Sequence, residues 1–118
     1  MSTLSVTNIK KTGETVSRDV SGVAAAWVNF DGTSTVAIRD SVNISSLSDA
    51  GTGLYDVSFS NSMATEDYVS NANTNTTNVY GNPYVLTVSN STLVSYYAHG
   101  ATVFDVEYFH NSVLGDLA

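Results

Sequence analysis

The sequence predicts an all-β fold, an antiparallel β-sandwich preceded by an extended N-terminal arm. Three observations predict it. Val, Thr and Tyr, which suit a pleated and half-buried surface, are abundant among the 118 residues, and no stretch of about eleven places apolar residues at helical spacing. Short alternating runs recur instead, punctuated by Gly, Asn and Asp. The punctuation falls every 8–12 residues or so, the rhythm of a sandwich or meander.

In chain order, strands are expected near residues 4–9, 25–30, 35–39, 42–47, 54–59, 68–72, 84–89, 93–98 and 103–109. In 54–59, Tyr55, Val57 and Phe59 share one face while Asp56 and Ser58 share the other, a strand with one wet side. In 103–109, Phe104, Val106 and Tyr108 form the better core face. Asp31-Gly32, between WVNF and VAI, suits the positive φ angles of a tight hairpin. Residues 49–53, DAGTG, predict a second hairpin with a longer loop. The stretch 71–82, NANTNTTNVYGN, has Asn at nearly every second position and is expected as an exposed loop. Loops on a rigid β scaffold are where binding residues tend to sit.

Residues 1–22 are expected to form the arm and 23–118 the sandwich domain. The first segment holds Lys10, Lys11 and Arg18, three of the four cations, and too few large side chains to close a core. It is expected either to be flexible or to pair with another chain.

Composition excludes several functions. Eleven Asp+Glu against four Lys+Arg leave no basic footprint for nucleic acid. No apolar run approaches the roughly 20 residues of a membrane span, so no membrane insertion is expected. The opening MSTLSV lacks a charged and an apolar region, so no signal peptide is expected. Without cysteine there is no disulfide, thiolate site or Cys nucleophile. His99 and His110 are the only imidazoles and form no HxH or HExxH pair, so neither a metal nor a cofactor is expected. No GxSxG elbow supports a catalytic triad. Asp31, Asp40, Asp49, Asp56 and Asp67 are spread one per turn or strand edge, which turn and cap roles explain. An enzyme is not expected. Sequons at Asn43, Asn75 and Asn90 are ascribed to chance in a chain about one-third Ser, Thr and Asn.

Two groups of residues stand out. Arg39, beside Asp40, is the only cation after residue 18, and a lone guanidinium in an acidic chain is expected to clamp a carboxylate or a set of carbonyls. The amphipathic rings of Trp27, Tyr80, Tyr84, Tyr96 and Tyr97 suit either a saccharide platform or an interface. Trp27, Tyr96 and Tyr97 are expected as half-buried sheet residues. Tyr80 and Tyr84 flank Gly81-Asn82-Pro83, expected as a turn. The candidate ligand or receptor surface is therefore Asn78, Tyr80, Asn82 and Tyr84.

Residues 24–63, AAAWVNFDGTSTVAIRDSVNISSLSDAGTGLYDVSFSNSM, resemble a domain of structural proteins of tailed bacteriophages, notably marine and cyanobacterial phages. The domain ends tail-fibre-like proteins and also forms small stand-alone virion proteins. Its pattern is approximately AWVNFxGT, then VxIRxSxNVSSIxDxGTGxYxVxF. Trp27, Asn29, Gly32, Arg39, Gly51, Gly53 and Tyr55 carry the match here, with Asp40 following the motif arginine. The lead-in and the closing SVLGDLA resemble the flanks of such proteins, whereas 64–99 matches nothing in the pattern.

The resemblance implies a non-enzymatic virion structural protein, assembled in the host cytoplasm as an intertwined homotrimer that contacts other virion proteins. A tail-fibre or receptor-binding role, with a host-surface glycan as the ligand, is expected first. A trimeric capsid decoration or head-fibre protein is the alternative. A general carbohydrate-binding module, using Tyr80 and Tyr84, is a further one.

Overall fold

Buried side chains at every second position of four strands, most of them apolar, set the architecture. In the computed structural model, which describes residues 1–10, 12–97 and 102–118, the described residues form ten strands in antiparallel sheets and no α-helix. β1 (Asn8–Ile9) and β2 (Arg18–Asp19) pair with each other and lead into a 3-10 turn, Val20–Gly22. β3 (Ala24–Asp31), β4 (Ala37–Val42), β7 (Val69–Thr74) and β10 (Phe109–Leu114) form one four-stranded sheet in the order β4-β3-β10-β7. β5 (Ile44–Gly51), β6 (Leu54–Phe59), β8 (Val79–Leu86) and β9 (Asn90–Tyr97) form the other, in the order β5-β6-β9-β8.

The two sheets pack face to face. Val28 and Phe30 of β3 and Phe109 of β10 meet Tyr55 and Val57 of β6 and Leu93 of β9, all buried. The Phe30 and Phe109 rings stack at 5.1 Å, and Tyr55 meets both edge-on at 5.0 and 5.6 Å, the offset and T-shaped geometries that aromatic quadrupoles favour. A second cluster of Ala26, Phe59, Met63, Tyr68 and Val113 extends the core. The C-terminal residues run back along this region, where Ala118 N donates to Ser62 O (2.9 Å) and Ala64 N to Asp116 O (2.8 Å).

Several strands lie elsewhere than expected. Residues 71–82 are not one loop: β7 and β8 occupy most of the stretch, and only 75–78 connects them, with Asn78 at φ 62°. β7 alternates half-buried Ser70, Ala72 and Thr74 with exposed Asn71 and Asn73, a period of two concealed by small inward residues. Buried Asn111 fixes it to β10, its Nδ2 donating to Asn71 O and Ser70 Oγ, both at 2.8 Å. The strand expected at 84–89 begins at Val79, so Gly81-Asn82-Pro83 lies within β8 and is not a turn. Proline is tolerated there because β8 is a sheet edge.

The strand expected at 103–109 lies at Phe109–Leu114; of the proposed face, Val106 is buried, while Phe104 and Tyr108 are half-buried. Of residues 4–9, only 8 and 9 are strand. The strands near 35–39 and 42–47 are displaced to β4 and β5. Positive-φ Asn43 joins these two, its Oδ1 accepting from Asn61 N (2.8 Å) and its Nδ2 donating to Asn61 O (3.0 Å).

Phe109 is fully buried between the sheets and close-packed, with a β-carbon on Gly81 falling 2.9 Å from its ring. Phe109→Ala is expected to lower unfolding free energy by about 3–5 kcal/mol in urea denaturation, the range for a large aromatic cavity. Tyr84→Ala, at a side chain 68% exposed, should change it by under about 0.5 kcal/mol.

Candidate functional site

Gly32, Arg39, Gly53 and Tyr55 come together at one end of the sandwich, around segment 104–108, whereas Trp27, Asp40 and Gly51 lie apart from it. Tyr55 is the inward residue of β6 that reaches this end. Its hydroxyl donates to Gly32 O (3.0 Å), with Asp105 Oδ1 at 3.2 Å as a second acceptor, and Val106 N points at the same oxygen from 3.4 Å. Gly32 N in turn donates to Val106 O (2.8 Å). A β-carbon on Gly32 would collide with the Tyr55 ring and hydroxyl and lie 2.8 Å from Val106 O. Glycine is needed there for close approach, not for a hairpin. The β3–β4 connection is a five-residue loop, 32–36, rather than the tight Asp-Gly turn expected. Asp31 Oδ1 holds that loop by accepting from Thr33 N (2.8 Å) and Thr33 Oγ1 (2.6 Å).

The β5–β6 hairpin reaches the same segment. It turns on Thr52-Gly53, tighter than the longer loop expected. Gly53 has φ +67°, and a β-carbon there would lie 2.7 Å from both Phe104 N and Ser95 O. Its amide donates to Asp105 Oδ1 at 2.7 Å. Gly51, at φ +139°, donates to Asp49 Oδ1 at 2.9 Å. Ser95 adds a third tie: its Oγ donates to Phe104 O, and Phe104 N donates to Ser95 O at 3.1 Å.

Arg39 clamps the outside of the segment. It falls where the β3–β4 register slips between Asn29↔Asp40 and Phe30↔Ile38, a bulge, and bulges re-aim side chains. Its Nη1 donates to Glu107 O (2.8 Å) and lies 3.5 Å from Asn29 Oδ1. Nη2 stands 3.6 Å from Asp31 Oδ2, and the guanidinium carbon sits 3.9 Å over the Tyr108 ring. Asp40 turns to its own backbone, accepting from Ser41 N (2.9 Å).

The electrostatics follow from these contacts. Hydrogen bonds from the Thr33 hydroxyl and amide, with Arg39 nearby, hold the Asp31 carboxyl below the usual carboxylate range. Burial, reinforced by Asp105, pushes the Tyr55 phenol up to about 12.

The proposed ligand residues lie away from this cluster. Asn78 is in the β7–β8 turn, and Tyr80, Asn82 and Tyr84 are on β8. Tyr80 and Tyr84 are 55% and 68% exposed, and Tyr84 occupies a bulge between Pro83 and Val85. Trp27 is half-buried on the outer face of β3. His99 and the Tyr96 and Tyr97 side chains lie outside the described residues. Among the described residues, no three His, Asp or Glu gather as a metal site. Sequence reasoning missed Asp105, Glu107 and Tyr108 as partners of the motif; they stand about fifty or more positions from Gly53, Tyr55 and Arg39, and no local pattern links them.

Comparison with family models, curated proteins and solved structures finds no match.

Tyr55→Phe is expected to cost about 1–3 kcal/mol, because it strands the buried Gly32 carbonyl. Alkaline titration supplies a second check. An unfolded tyrosine loses its proton near pH 10, whereas Tyr55 holds its proton to about 12 in the fold. Its contribution is therefore complete below pH 10 and lost as pH rises from 10 to 12, by about 2–3 kcal/mol. The stability difference between wild type and Tyr55→Phe should shrink over that interval.

Proposed function

We propose that the chain is a non-enzymatic structural protein of a tailed-bacteriophage particle, of the tail-fibre or receptor-binding type, acting as an intertwined homotrimer. The observation that carries this reading is an excess of exposed surface, with large apolar side chains uncovered in the N-terminal segment. The chain exposes 7144 Å², against about 6,200 Å² for a compact monomer of its mass. The excess, about 1,000 Å², is comparable to one partner's share of a standard interface. Met1, Leu4, Val6, Ile9, Val16 and Val20, all before residue 23, are exposed. Covering them with identical neighbours would complete the burial, and cyclic symmetry would close the assembly. The pattern shared with the phage domain supports the particle assignment. The exposed tyrosines of β8, at a sheet edge, supply the surface proposed to meet the host.

Charge distribution favours one second reading, a capsid decoration protein. Residues 1–22 sum to +1 and residues 23–118 to −8, so the arm would face an acidic particle while the acidic domain points outward.

Sedimentation equilibrium of the full chain is expected to give a trimer mass, and removal of residues 1–22 to reduce it to a monomer or to lower the melting temperature. A truncated protein that stays trimeric with an unchanged melting temperature contradicts the arm's role. Binding of the full protein to host cells, lost in Tyr80→Ala/Tyr84→Ala, supports the fibre reading; binding to empty capsids instead supports decoration.

A further inference from the structure

The outer face of the β4-β3-β10-β7 sheet carries an open groove of about 280 Å³, with Trp27, Asn29, Asn71, Asn73, His110 and Ser112 in its lining. Register arranges these six as a grid. Ser112 stands opposite Trp27 on one side and Asn71 on the other, while His110 stands opposite Asn29 and Asn73. The two rows are about 7 Å apart along the strands and neighbouring columns about 4.8 Å apart. Ser112, the smallest of the six, separates the indole from the Asn71 amide and leaves the depression between them.

The chemistry of the lining selects a ligand. Asn71, Asn73 and His110 are exposed, and no described residue hydrogen-bonds to their side chains. Asn29 has only the 3.5 Å approach of Arg39. Each carboxamide offers both donors and an acceptor. No carboxylate, ammonium or guanidinium is in the lining. The charges beside it, Arg39 at 3.5 Å from Asn29 Oδ1 and Asp40 opposite Asn29 on β4, are of opposite sign and stand at one side only, so the groove as a whole favours neither an anion nor a cation. An apolar ligand would leave the row of amides unpaired, at a cost. A sugar ring satisfies both halves of the grid, with C–H groups against an indole face and hydroxyls that donate to and accept from the amides. The volume lies just under the roughly 300 Å³ at which small-molecule sites begin, room for about one or two rings.

We infer that this groove binds a neutral saccharide, with Trp27 as the stacking platform and Asn29, Asn71, Asn73 and His110 as the hydrogen-bonding rows. The site lies on the opposite sheet from Tyr80 and Tyr84, and it does not rest on the virion reading.

Trp27 is the only tryptophan, so its fluorescence reports on the groove directly. The full-length protein is titrated with cellobiose, laminaribiose, maltotriose, mannobiose and N,N′-diacetylchitobiose, with glucuronic acid and glucosamine as charged controls. A saturable change in Trp27 emission is expected with at least one neutral probe and with neither control. Asn73→Ala and His110→Ala, at exposed positions, should each weaken binding about fivefold, the equivalent of one neutral hydrogen bond. Ser112→Leu should abolish it, and Tyr80→Ala/Tyr84→Ala should leave it unchanged. Flat emission with every neutral probe overturns the inference, as does a response confined to the charged controls or one undiminished in both Asn73→Ala and His110→Ala. A flat titration leaves the assembly reading standing, since that is read from sedimented mass.

Discussion

The fold depends on how segment 104–108 is held across one end of the two sheets, and the Tyr55 hydroxyl is the centre of that closure. It touches Gly32 on the β3–β4 loop and Asp105 and Val106 on the segment itself. The phenol also stands edge-on to Phe30 and Phe109. One side chain thus belongs to the aromatic core and to the polar closure together. Neither part works alone. Without the segment, the buried Gly32 amide would lose its acceptor and the Tyr55 hydroxyl would keep only Gly32 O, losing Asp105 and Val106, and buried polar groups without partners are costly. Without the aromatic stack, nothing would hold the hydroxyl in place.

This arrangement gives four residues of the 24–63 stretch a physical meaning. Gly32, Gly53, Tyr55 and Arg39 are four parts of one receiver. Two glycines let backbone approach backbone, the tyrosine supplies the inner bond, and the arginine seals the outer side on Glu107 O and the Tyr108 ring. Residues so used have little freedom to serve a ligand. The surfaces not engaged in this closure are the outer faces of the two sheets and the edge strand β8.

How much was legible in the sequence differs by element. Leu54–Phe59 was read to the residue, because large apolar side chains alternate with polar ones and both ends carry turn signals. β3 was read to within a residue for the same reason. β7 was hidden, since its inward positions are Ser70, Ala72 and Thr74, and a pattern built on large apolar residues passes over small ones. What makes 69–74 a strand is the ladder to β10 and the buried Asn111 amide, both supplied from about forty residues away. The Asp31-Gly32 pair carried a real signal that was attached to the wrong cause, because Gly32 answers a tertiary contact instead of a local turn. Of the outer-face grid, Trp27 and Asn29 stand in the motif, His110 is legible only as an unpaired imidazole, and Asn71 and Asn73 fall in a stretch expected as a loop; they become neighbours, with Ser112, solely through register.

The most direct test of the closure is native-state hydrogen exchange at the Gly32 and Gly53 amides, which donate to Val106 O and Asp105 Oδ1. If segment 104–108 is integral to the fold, both amides exchange only through global unfolding, with opening free energies equal to that of the Tyr55 and Val57 amides in β6. Exchange at Gly32 and Gly53 far faster than at β6, with the core still protected, would show that the segment detaches on its own and that the sheets do not need it.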